Sequence, residues 1–146
     1  MLIEIRSKAF KAKDKIRPPI TFKAGLNVIL GGEDGENSIG KSSALLAIDF
    51  VFGGSTYIRS DAVKQVGHHT IFFCFKFEDT LYYFARDTMY PETIHICNNN
   101  YKLTGDSYTQ SEFVDWLNIQ YNLDFPELKF RNTVGRFFRI YGKPNC

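Results

Sequence analysis

The sequence predicts an α/β domain, and three observations carry that expectation. A fully apolar stretch, LNVIL (26–30), runs straight into the glycine-rich segment GGEDGENSIG (31–40). The run KSSALLAIDFVF (41–52) follows, with Leu45, Ile48 and Phe52 at helical spacing. Beyond it, HTIFFCFKFEDTLYYFARD (69–87) is a stretch of aromatic and β-branched residues broken at Glu78-Asp79-Thr80, the pattern of a hairpin.

The remaining elements follow in chain order. LIEIRSKAF (2–10) alternates apolar and polar residues and predicts a first strand. KAKDKIRPP (11–19) is a basic connection, because Pro18 and Pro19 lack the N–H that a sheet ladder needs. ITFKAGLNVIL (20–30) divides into two short strands around Ala24-Gly25. Gly53-Gly54 ends the helix that begins after the glycine-rich loop. TIHICNNNYKLTG (93–105) predicts a second, shorter hairpin turning at Asn98-Asn99-Asn100. Thr109-Gln110-Ser111-Glu112 forms a capping box at the head of a helix with Phe113, Trp116 and Leu117 on one face. The tail, 125–146, is basic and aromatic and reads as partly helical.

Composition narrows the function classes. The 146 residues suffice for one domain with its own core. A net charge of +2 argues neither for nucleic acid nor for a membrane surface. No apolar run approaches the roughly 18 residues of a bilayer span, and the charged, alternating N-terminus does not read as a signal peptide. The three cysteines are odd in number and scattered; Cys74, inside an apolar run, reads as a buried free thiol, and the setting as reducing and cytoplasmic.

The chemistry concentrates in one place. Gly35, Glu36, Asn37, Ser38, Ile39, Gly40, Lys41 and Ser42 fit the spacing GxxxxGK[ST] without a gap. Glycines at those positions let successive N–H groups turn inward around an anion. In this arrangement Lys41 reaches the β- and γ-phosphates and the Ser42 hydroxyl joins a magnesium ion, while the following helix adds its free N–H groups. The expectation is a Walker A loop for ATP and Mg2+. No residue is assigned to catalysis.

The first strand, the basic turn, GLNVIL, the phosphate loop and GKSSALLAIDFVFGG together resemble the start of an SMC-type ATPase head of the ABC class. That family's loop usually reads G-x-N-G-x-G-K-S-[ST]; Asn37, Gly40, Lys41, Ser42 and Ser43 match, and Ser38 replaces a glycine. ENSIGKSS, DFVFGG, VGHHTIFFCFKF and FFRIYG look closer to a bacterial SMC-like group with a C-terminal domain of unknown function, linked to phage defence. The resemblance implies the N-terminal lobe of a P-loop NTPase over residues 1–146, with a mixed sheet, an antiparallel β-layer and few helices. By the same resemblance 109–123 would be a small capping helix, and Lys11, after the first strand, would touch the nucleotide, with a solvated turn as the equal alternative for that basic stretch.

It also implies what the sequence does not contain: a coiled coil, then a C-terminal lobe with the signature motif, the acidic magnesium partner and the glutamate base. The expected partners are therefore a C-terminal lobe of the same or a partner chain and a head–head dimer when complete, with DNA as an open option and no membrane. Hydrolysis by the chain alone is not expected. Two alternatives stand beside this reading: a self-sufficient small P-loop kinase or GTPase, and a nucleotide-independent interaction module. His68-His69 reads as structural, since adjacent histidines point opposite ways on a strand. Arg131, Arg136, Arg139 and Lys143 interleave with aromatics and read equally as a partner surface or a solvated face.

Overall fold

A computed structural model describes residues 1–9, 11–12, 15–16, 20–23, 27–29 and 40–124, with side chains for 1–9, 21 and 44–123. Nine strands and three α-helices occur among them, in the order β1 (Leu2–Arg6), β2 (Lys11–Ala12), β3 (Lys15–Ile16), β4 (Ile20–Lys23), β5 (Asn27–Ile29), α1 (Gly40–Val51), α2 (Asp61–Val66), β6 (Thr70–Phe77), β7 (Thr80–Asp87), β8 (Thr93–Cys97), β9 (Leu103–Thr109) and α3 (Gln110–Asp124). A 3-10 turn at Thr56–Arg59 joins α1 to α2. Seven strands form one sheet in the order β5-β4-β1-β6-β7-β8-β9, and β2 pairs with β3 apart from it.

Every neighbouring pair in the sheet is antiparallel. This corrects the expected mixed sheet of an ABC/SMC-type P-loop NTPase lobe. The reason lies in the connections. Glu78 and Asp79 alone join β6 to β7, with φ of 50° and 64°, the left-handed pair that a two-residue hairpin turn requires. A parallel pair needs a crossover of a dozen residues or more. The one connection of that length containing α1 leads from β5, at the sheet edge, to β6, which pairs with β1 and β7 instead. The basic stretch after β1 also differs from expectation, since Lys11 and Ala12 pair with Ile16 and Lys15.

One face of the sheet carries the core. Register places Ile5, Phe73, Phe84 and Ile96 in a row across β1, β6, β7 and β8. Helix α3 lies over that row: the Phe113 ring is 5.9 Å from Phe73 and 5.2 Å from Phe84, and Tyr121 is 5.0 Å from Phe77. Each fully buried aromatic of this kind contributes about 1.5–3 kcal/mol relative to exposure. The capping box that starts α3 is formed: Glu112 N–H donates to Thr109 Oγ1 at 3.1 Å, and Thr109 N–H donates to Glu112 Oε1 at 2.9 Å.

The opposite face explains why IFFCFKF is apolar at nearly every position. Cys74, Tyr83 and Cys97 form a row on that face, with both thiols buried and free. Tyr101, from the β8–β9 turn, folds across it. Its hydroxyl donates to Glu4 Oε2 at 2.7 Å, and its ring meets Phe72 at 5.6 Å and Tyr83 at 5.2 Å. Arg6 stands 4.9 Å over the same ring and pairs with Glu4 at 3.0 Å. Tyr101 adopts φ of 60°, a left-handed conformation that these contacts hold in place. Burial, with the Glu4 charge adding to it, pushes the Cys74 thiol up to about 11, away from the thiolate form that acts as a nucleophile. Among the described residues no helix is long and apolar enough to cross a membrane.

Candidate functional site

Helix α1 begins at Gly40, so Gly40, Lys41, Ser42 and Ser43 form the first turn of a twelve-residue helix. No acidic residue stands in that turn. Its free N–H groups and the positive end of the helix dipole are therefore not neutralised by the helix's own first-turn side chains. Strand β5 ends at Ile29, ahead of the glycine-rich segment. The strand–loop–helix order read from the sequence is thus present at both flanks. Gly35, Glu36, Asn37, Ser38 and Ile39 lie outside the described residues, as do the side chains of Lys41, Ser42, Ser43 and Lys11. The backbone of Lys11 sits in β2.

From Ala44 onward α1 is held by buried side chains. Ala44, Ala47, Ile48 and Val51 are buried in the core cluster, a stripe repeating every three to four residues. The helix ends as Gly53-Gly54 predicts: Gly54 N–H donates to Asp49 O at 2.9 Å and Gly53 N–H to Phe50 O at 3.1 Å, with Gly53 at φ of 100°. This is the paired-bond ending that favours glycine after the last helical residue. A Cβ on Gly54 would collide with the Asp49 carboxylate.

Two side chains from other elements then grip this end. Arg86 of β7, only 2% exposed, donates through Nη1 to Phe50 O at 2.7 Å and Gly54 O at 2.8 Å, and through Nε to Pro91 O at 2.7 Å. Its guanidinium lies 4.2 Å from the Phe50 ring centroid. Gln110, at the head of α3, donates from Nε2 to Gly53 O at 2.7 Å. Burial lowers the Arg86 guanidinium to about 10, against the opposing pull of Asp49 and Glu92, so it stays cationic at neutral pH. Asp49 Oδ2 is buried without a hydrogen-bond donor among the described residues; the nearby Arg86 charge offsets its own.

His68 and His69 lie just before β6 rather than on a strand, and both rings meet neighbouring groups. His69 Nδ1 lies 2.7 Å from Gly67 O and its Nε2 2.7 Å from the Tyr57 hydroxyl. Those partners assign a neutral ring with the proton on Nδ1 and Tyr57 donating to Nε2. Tyr57 is wholly buried, and that burial raises its hydroxyl well above the usual tyrosine range. His68 Nδ1 is 2.9 Å from Thr88 Oγ1. Among the described residues no group of histidine, cysteine and acidic side chains is placed to hold a metal ion. Arg131, Arg136, Arg139 and Lys143 lie outside the described residues.

Sequence reading missed Arg86 and Gln110. A signal existed for the first: Tyr82, Phe84 and Arg86 share one strand parity, so an arginine stood at a core-facing position of an aromatic strand. No protein-family model and no curated protein matches the chain.

Proposed function

We propose that the chain binds ATP with magnesium through residues 35–43, as the nucleotide-binding segment of an SMC-like ATPase. The observation that carries this reading is the coincidence of motif and element. The GK[ST] residues of an ungapped GxxxxGK[ST] spacing, Gly40, Lys41 and Ser42, form the first turn of a core-anchored helix without acidic residues there. The residue types in the motif are those such cofactors need. Backbone N–H groups of Gly35 to Ser43 and the Lys41 ammonium would hold the phosphates, and Ser42 would take a place on the magnesium ion. Magnesium, when bound, screens phosphate charge. The chain's own part is to bind and orient the triphosphate, and turnover on this reading comes from a C-terminal lobe of the same or a partner chain.

Isothermal titration of MgATP into the chain tests the reading. Lys41→Ala removes a charge-assisted contact worth about 1.5–3 kcal/mol and should weaken binding by at least about tenfold with the fold intact. Ser42→Ala should weaken binding more with magnesium than without it. Equal affinity of the Lys41→Ala variant and the parent would overturn the assignment of the loop.

A further inference from the structure

The two ends of helix α1 differ. Its first turn carries the phosphate-loop residues Gly40 to Ser43, and its last turn is gripped by Arg86 from the sheet and Gln110 from α3. At about 1.5 Å per residue, these ends lie roughly 18 Å apart. The grip is more elaborate than ending a helix requires, because the two glycines already satisfy Asp49 O and Phe50 O. Phe50 O accepts twice, from Gly53 N–H and Arg86 Nη1, and Gly54 O and Gly53 O each accept from a side chain of a distant element. Val114 of α3 stands over Gly53 so closely that a Cβ there would lie 2.7 Å from its Cγ2.

We infer that Arg86 and Gln110 are positioning residues for the phosphate loop, fixing the axial position and tilt of α1 from its far end. The inference rests on the reading of residues 35–43 as an ATP site. A helix is a stiff rod, so a slide or tilt permitted at Gly53-Gly54 appears at Gly40–Ser43. A phosphate cradle tolerates misplacement of only about 0.5 Å before its bonds weaken. The same grip makes the coupling reciprocal: ATP at the first turn steadies the last turn, since binding and local order are linked free energies.

The experiment compares parent, Gln110→Ala, Arg86→Lys and Thr109→Ala proteins. Thr109→Ala is the control, because it removes the cap of the same helix without touching α1. MgATP affinity is measured by titration at a temperature where circular dichroism shows each variant folded, and amide hydrogen exchange is followed at residues 52–55 with and without MgATP. In the parent, MgATP should slow exchange at these residues. Gln110→Ala and Arg86→Lys should weaken MgATP binding about three- to tenfold, in the range that residues outside a ligand site produce, and reduce that protection. Thr109→Ala should keep the parent's affinity. Parent-like affinity and protection in Gln110→Ala would overturn the inference while leaving the ATP site standing, and this variant decides the matter if Arg86→Lys does not fold. An equal loss in Thr109→Ala would also overturn it, by showing general loosening. A parent that binds no MgATP would overturn the site itself, and the inference with it.

Discussion

Replacing Gly53 with alanine isolates the contact on which the α1–α3 junction turns. Two costs arise at this one carbon. The backbone φ of 100° is a conformation that L side chains resist, at about 1–2 kcal/mol for left-handed backbone. The new Cβ would also lie 2.7 Å from Val114 Cγ2, well inside the roughly 3.5–4.0 Å of comfortable carbon contact. Val114 sits in the interior of α3, where a β-branched side chain has one strongly preferred rotamer and cannot turn aside. Overpacking of this kind costs about 1–3 kcal/mol. The sum is a destabilisation of about 2–5 kcal/mol, read by urea unfolding as a lowered midpoint at constant slope. Val114→Ala relieves the collision but leaves the backbone cost, so the double variant should recover about 1–3 kcal/mol relative to additivity in a double-mutant cycle. A Gly53→Ala protein within about 0.5 kcal/mol of the parent would refute the backbone argument. A cycle with no coupling would refute the steric one.

Two further outcomes are expected. Tyr101→Phe keeps the ring contacts and loses the bond to Glu4, so it should destabilise by about 0.5–1.5 kcal/mol; an unchanged urea midpoint would show that the hydroxyl contributes nothing. His69 should titrate below its ordinary value, because burial outweighs the Gly67 bond and the Asp87 charge, with neighbouring His68 adding to the lowering. With the unfolded chain taking up the proton first, stability is full above about pH 6.5 and falls as pH drops toward the folded value. An NMR titration of the His69 ring with a midpoint at or above 6.5 would contradict this.

The sequence by itself determined what depends on residues a few positions apart. The Gly53-Gly54 ending, the capping box of Thr109 and Glu112 and the turn at Glu78-Asp79 are all satisfied within five residues or fewer, so composition and spacing specify them. The start of α1 at the GK[ST] residues belongs to the same class, since a glycine-rich segment before apolar residues at helical spacing marks it. Only the tertiary structure decided which strands become neighbours. The apolar and aromatic runs of β6 and β7 mark two strands and the hairpin between them, but nothing in them places β6 beside β1 or leaves β5 at the sheet edge, and the expectation of a mixed sheet failed there. Tyr101 and Glu4 are 97 positions apart and Arg86 and Phe50 are 36 apart. Contacts of that separation form when a shared core brings distant elements together, and hydrophobic burial, which drives it, is non-directional. The partners that Arg86 and Gln110 grip are therefore set by how the core packs; strand parity marks Arg86 as facing the core but does not say that it meets the end of α1.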